Sequence, residues 1–173
     1  MGTITLITGG ARSGKSMQAL KLALPYQRKF FIATGEALDD EMTARIEFHR
    51  TSRPQDFETV EEPVNVVATL EKLSKSADLV VLDCLTLWVS NLMQWNSTDD
   101  GPVLVEADKL AAALKNAPFA SIVVTDEVGS GIVPTDHAQS RRFRDLLGWT
   151  NQKVASVADQ VLLMVAGYSI KVK

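Results

Sequence analysis

Eight consecutive residues, Gly9-Gly10-Ala11-Arg12-Ser13-Gly14-Lys15-Ser16, bring together what chemistry on phosphates requires. Glycines let a main chain fold closely around an anion, and the N–H groups of such a loop, with the start of the helix after it, point at phosphate oxygens. Lys15 supplies charge to β- and γ-phosphates, and the Ser16 hydroxyl is a hard donor for Mg²⁺. The pattern G-x-x-x-x-G-K-[ST] carries this meaning only between a strand and a helix. It falls there: Thr3–Thr8 is β-branched and apolar, and Ser16–Leu24 reads as a helix ended near Pro25. Gly9, Gly10, Ala11, Arg12, Ser13, Gly14, Lys15 and Ser16 are therefore candidate phosphate-binding residues.

Other groups fit less uniquely. Asp83 closes the apolar run Leu79–Leu82, where a carboxylate could hold the same magnesium ion or cap the helix Leu85–Trp95; the two roles are compatible. Glu41, Arg45 and His49 lie at i, i+4 and i+8 on one predicted helix face. That row reads equally as a solvated charged stripe and as the seat of a nucleophile, since a neutral imidazole attacks phosphorus and the phosphoramidate it forms still transfers readily. Arg50, Arg53, Glu61 and Glu62 could meet ribose, base or phosphate, though each alone is an ordinary surface charge. Thr125–Pro134 is too long and glycine-rich for a simple turn and reads as a mobile substrate loop, with His137 near it as a helix-entry or substrate-loop residue. Trp88, Trp95 and Trp149 read as core or interface residues, and Cys84 as a small buried hydrophobe.

The elements that must position these groups follow from periodicity. Lys29–Ala33 is a short apolar run; Met42, Ile46 and His49 share a face of a helix over Leu38–Arg50, closed by Arg53-Pro54; Val64–Leu73 is apolar-periodic. After the polar turn Asn96–Pro102 come a helix at Leu104–Leu114 and a strand at Ser121–Val124. Arg141–Val157 is the last helix, and Gln160–Val165 and Ile170–Val172 are a closing strand pair around Gly167-Tyr168. Apolar strands alternating with helices predict an α/β fold, a mostly parallel sheet with helices on both faces and one antiparallel strand at the end. Ligands gather at the carboxyl ends of such strands, where Gly9, Thr34, Asp83 and Thr125 converge.

Size and charge bound the function. At 173 residues one nucleotide-binding domain over 1–173 is expected. With 46% hydrophobic and 23% charged residues the chain can bury a core. A net charge of −3 argues against nucleic acid as a partner. No apolar stretch is long enough to span a bilayer, and no signal-like segment opens the chain, so a cytoplasmic address is expected.

This ordered set resembles the bifunctional adenosylcobinamide kinase / adenosylcobinamide-phosphate guanylyltransferases of cobalamin biosynthesis over nearly the whole chain. Beyond the phosphate loop its carriers are Ile32-Ala33-Thr34-Gly35, Asp39-Asp40-Glu41-Met42, Ala44-Arg45-Ile46, His49 and Arg53-Pro54. They continue with Asp83-Cys84-Leu85-Thr86-Leu87-Trp88, Asn91-Leu92, Glu127-Val128-Gly129, Gly131-Ile132-Val133-Pro134, Arg144-Asp145 and Asn151-Gln152.

The resemblance implies a RecA-like P-loop NTPase fold and two reactions. Adenosylcobinamide is phosphorylated by ATP or GTP; GMP is then transferred from GTP to adenosylcobinamide phosphate, giving adenosylcobinamide-GDP. It implies Mg²⁺ held by Ser16 and Asp83, Lys15 in catalysis, a guanylyl-histidine on His49, a homotrimer, and nucleotide contacts at Thr34, Gly35, Glu36, Arg50, Thr51, Ser52, Arg53, Glu61 and Asp83. Two departures stand out: Phe48 precedes His49 where some members pair two histidines, and Asp126 replaces an amide or small residue. A single-function P-loop kinase and a GTP-binding regulatory module remain the other readings, the second lacking an N-K-x-D segment.

Overall fold

The computed structural model describes residues 2–95, 99–131, 135 and 137–173, the side chains of Arg45 and Ser52 excepted. The elements run β1 (Ile4–Gly9), α1 (Lys15–Ala23), β2 (Lys29–Ala33), α2 (Asp40–Ser52), β3 (Phe57–Glu61), α3 (Val66–Leu73), β4 (Leu79–Asp83), α4 (Leu85–Trp95), α5 (Gly101–Asn116), β5 (Ala120–Val124), α6 (Ala138–Val157), β6 (Gln160–Val165) and β7 (Tyr168–Lys171). The strands form one sheet in the order β3-β2-β4-β5-β1-β6-β7. All pairings are parallel except β6 with β7. Strand β5 thus separates β1 from β4, which decides what stands between the phosphate loop and Asp83.

Because successive side chains of a strand point to opposite faces, each apolar strand feeds two cores. On one face Leu6, Ile32, Val80, Leu82 and Val123 pack with residues of α3, α4, α5 and α6, among them Leu70, Trp88, Leu110 and Leu147. On the other, Ile7, Phe31, Val81, Ile122 and Met164 pack with Ala19 and Ala23 of α1. Helix α2 is buried in neither: Asp39 caps it by accepting from Met42 N at 2.7 Å, and its described residues face solvent or are only half-buried.

Strand β3 was not expected from the sequence. Phe57-Glu58-Thr59-Val60-Glu61 has its two apolar residues three positions apart and so does not alternate, and it lies at the sheet edge with most side chains exposed, without the continuous apolar run that betrays the central strands. Aromatic and cationic contacts fasten it. Lys29, buried at the start of β2, pairs with Asp56 and lies 5.2 Å from the Phe57 ring centroid, and Phe57 meets Phe31 edge-on at 6.1 Å.

The closing hairpin turns one residue earlier than expected, at Ala166-Gly167, because both carry positive φ, 50° and 88°, as a two-residue turn between twisted strands demands. Helix α5 starts before Leu104, with Pro102 in the first turn where its missing N–H does no harm, and α6 starts at Ala138 with His137 at its N-cap. Of the turn Asn96–Pro102 and the loop Thr125–Thr135, Asn96, Ser97, Thr98, Ile132, Val133 and Pro134 lie outside the described residues.

Trp88 is fully buried and its indole N–H donates to Val64 O at 2.9 Å, whereas Trp95 is 74% exposed. Trp88→Ala is expected to destabilise by about 3–5 kcal/mol and Trp95→Ala by no more than about 0.5 kcal/mol, both read from guanidinium unfolding.

Candidate active site

Strand β1 ends in the phosphate loop, and two of its glycines are required there. Gly9 has φ 150°, and a Cβ on it would lie 2.6 Å from Met164 O; Gly14 has φ 100°, and a Cβ there would lie 3.2 Å from Gly167 Cα. Arg12 also adopts positive φ, 57°. Gly10 is different: it has open space around it and no positive φ, so its lack of a side chain is not enforced by packing. The hairpin β6–β7 braces the loop from outside, Gly167 N donating to Ser13 O at 2.9 Å. Ser13 itself is buried, with a hydroxyl that has no partner among the described residues.

The Lys15 ammonium folds back over this loop. It donates to Gly9 O at 3.0 Å and Gly10 O at 2.7 Å and pairs with Asp126 Oδ1 at 2.6 Å. One position along α1, Ser16 Oγ lies 3.4 Å from Asp83 Oδ2, long for a hydroxyl donating to a carboxylate. Burial pushes the Asp83 carboxyl above the usual carboxylate range, with Asp126 adding to the rise; His49, the Ser16 hydroxyl and Arg53 pull against it. An acid held half-buried without a full complement of partners suits a site that receives a cation.

The far side of the rim is built from β2, α2 and β3. Gly35 follows β2, and a Cβ there would touch Leu87 and Ile46 at 3.4–3.5 Å, so its bareness lets α2 settle against α4. His49 stands three residues beyond Ile46, one turn along α2, exposed, and close enough to Asp83 to favour its ionised form. Arg53, at the C-cap of α2, lies 3.5 Å above the Phe31 ring and donates to Thr59 Oγ1 at 2.6 Å. Burial lowers its pKa, while Asp83 and Glu61 act in the opposite sense. The strand missed by the sequence reading therefore carries Glu61 to this cluster.

Not every expected contact residue presents a polar group. The Thr34 side chain is fully buried, donating to Cys84 O at 2.8 Å and accepting from Cys84 N at 2.9 Å, so its hydroxyl joins β2 to β4 instead of facing solvent. The Thr51 hydroxyl bonds Glu47 O at 2.9 Å in its own helix. Glu36 is half-buried and Arg50 exposed; the side chains of Ser52 and of Arg45, the middle of the charged row, lie outside the described residues. Cys84 is buried with its thiol pushed up to about 12 by burial and by Asp83, which makes it the inert hydrophobe expected.

Three residues of the site had no role from sequence. Asn91 donates to Thr34 O at 2.8 Å and to Pro63 O at 3.0 Å, tying the loops after β2 and β3 to α4. Thr86 accepts from Asp126 N at 2.9 Å. Asp126 stands out in the sequence only as an unusual residue, and the available signal was its place directly after Thr125, at the carboxyl end of the strand Ser121–Val124.

A strand opening into a glycine-bounded loop, a lysine at the following helix, and an acid two strands away across an inserted strand define a nucleotide-binding P-loop fold of the RecA-like class. In keeping with that, the chain is similar in fold to the RadB recombinase, with a TM-score of 0.53 at 18% identity over 94% of this chain and 74% of that one. A family model described as cobinamide kinase / cobinamide phosphate guanyltransferase matches residues 5–172, and the chain belongs to that family. It is 38% identical over 179 residues to the bifunctional adenosylcobalamin biosynthesis protein CobU of Escherichia coli, covering 97% of this chain and 98% of the relative. To the bifunctional adenosylcobalamin biosynthesis protein CobP of Pseudomonas aeruginosa it is 39% identical over 171 residues, covering 97% and 96%.

A carboxyl whose pKa is raised by folding holds its proton more firmly in the folded than in the unfolded chain, so stability falls as pH climbs from the ordinary carboxylate range through the raised value. Asp83→Asn, which still accepts from Ser16, is expected to melt at a higher temperature than the parent at neutral pH. The difference should vanish below about pH 4, as followed by calorimetry across pH.

Proposed function

We propose that this chain phosphorylates adenosylcobinamide with ATP or GTP and then transfers GMP from GTP to adenosylcobinamide phosphate through a guanylyl-His49 intermediate. The observation that carries the reading is the meeting, on one rim, of the phosphate loop, the Ser16–Asp83 pair and an exposed imidazole within electrostatic reach of Asp83. In this reading residues 1–173 form one nucleotide-binding domain acting as a cytoplasmic homotrimer. The seven-stranded sheet that unites the described strands supports the domain, and no described helix is long and apolar enough to cross a membrane.

In the first reaction the Gly9–Ser16 main chain and Lys15 hold the triphosphate, and the substrate hydroxyl attacks the γ-phosphorus, breaking its bond to the β-phosphate oxygen. In the second, the unprotonated imidazole nitrogen of His49 attacks the α-phosphorus of GTP; an N–P bond forms, the bond to the bridging oxygen breaks, and pyrophosphate leaves against the loop and Lys15. A phosphate oxygen of adenosylcobinamide phosphate then displaces His49, forming the diphosphate and returning the imidazole. Arg50, Arg53, Glu36 and Glu61 border the nucleotide in this scheme, with Gly35 contributing main chain and Thr34 fixing the end of β2 beneath it.

Ser16 and Asp83 offer two hard oxygen donors, the small protein share that Mg²⁺ takes beside phosphate oxygens and water. When bound, Mg²⁺ would supply neutralisation of the triphosphate charge.

Mixing the protein with GTP and Mg²⁺ is expected to give a single GMP-sized, acid-labile adduct on His49 by intact and peptide mass spectrometry. His49→Ala should lose the adduct completely and keep phosphorylation of adenosylcobinamide. An adduct retained in that variant contradicts the assignment, and no adduct in the parent leaves a kinase alone.

A further inference from the structure

The Lys15 side chain is only 10% exposed, and its ammonium has three partners: the carbonyls of Gly9 and Gly10 and the Asp126 carboxylate at 2.6 Å. An ammonium has three N–H donors. None remains for a phosphate unless one partner yields.

The carboxylate partner is firmly mounted. The main chain of Asp126 donates to Thr86 Oγ1 at 2.9 Å and accepts from Asn151 Nδ2 at 3.3 Å, and Asn151 is itself held by Thr125 Oγ1 at 2.7 Å. The next residue, Glu127, donates from its N–H to Gly9 O at 3.1 Å. Residues from α4, α6 and the phosphate loop thus fix the point from which the Asp126 side chain reaches Lys15.

We propose that Asp126 is an internal occupant of the phosphate cradle: in the nucleotide-free chain its carboxylate takes the place on Lys15 that a nucleoside triphosphate takes when bound, and it sets nucleotide affinity by competition. This rests on the nucleotide-binding reading above. Carboxylate and phosphate are both oxyanions that meet an ammonium through charge-assisted hydrogen bonds. Brought to one ammonium in a half-buried site they repel each other, so binding must break the 2.6 Å pair or hold two anions side by side. The negative charge of Asp126 is already felt at Asp83 across the rim.

The test uses the full chain, Mg²⁺ and α,β-methylene GTP, which cannot guanylylate the protein, with affinity from calorimetric titration. Asp126→Asn keeps the size and main-chain bonds of the residue, and Asp126→Ser is a second neutral form. Both are expected to bind the analogue at least about fivefold more tightly, while the nucleotide-free proteins melt at lower temperature because Lys15 has lost its counter-charge. A residue important only for folding would lower both quantities. Unchanged or weaker affinity in both neutral variants overturns the proposal. Lys15→Met separates the two levels: it should weaken binding by more than about tenfold, and if it binds like the parent, the cradle reading itself is what has failed.

Discussion

One buried ammonium organises the rim. The Lys15 side chain is largely withdrawn from water, and an ammonium so placed needs acceptors all around it. Two come from the carbonyls of Gly9 and Gly10, which turn toward the lysine only because the loop is bounded by Gly9 and Gly14 in conformations that other residues resist. The third comes from Asp126, and it is available because β5 lies between β1 and β4. Strand order thus places a carboxylate where strand-by-strand reading would see only another loop.

The same rim holds charge at a cost to folding. The Asp83 carboxyl and the Arg53 guanidinium are both pushed toward their neutral forms by burial, and each is partly offset by the other. Around them the neutral polar groups are almost fully paired: Thr34 with Cys84, Asn91 with Thr34 and Pro63, Trp88 with Val64. Satisfied amides and hydroxyls stiffen the ends of β2 and β4, while the strained ionisable groups are the ones that chemistry would use.

How much of this the sequence disclosed follows from physical range. The phosphate loop, the central strands and the helices α1 and α4 are legible, and α3 as an apolar-periodic stretch, because glycine placement and apolar periodicity are local signals. Strand β3 escaped because an exposed edge strand needs no apolar face; its Phe57 and Val60 are the only half-buried members. The Lys15–Asp126 pair was invisible because it depends on which strands are neighbours, 111 positions apart in a sheet whose order no local pattern encodes. Thr34 shows the limit of a different signal: the resemblance implies a nucleotide contact there, and only the sheet shows that its hydroxyl joins two strands. His49 could be placed on a helix from spacing, while its relation to Asp83 required the sheet.

The two halves of the rim differ in how they are held. The phosphate side is embedded: β1 is central, α1 packs Ala19 and Ala23 into a core, and the β6–β7 hairpin supports Ser13 from behind. The histidine side is not, since the described residues of α2 contribute to neither core and the helix is attached through Ile46 at its middle, near Gly35, and through Arg53 at its C-cap, on Phe31. A triphosphate must be gripped without movement while its leaving group departs. A nucleophile that receives a nucleotide from one partner and hands it to another needs access to both, and a helix with few buried contacts opens at lower cost than a core helix. The uneven packing of α2 is therefore what the proposed role of His49 would require of its support, in the same chain whose phosphate loop tolerates so little freedom.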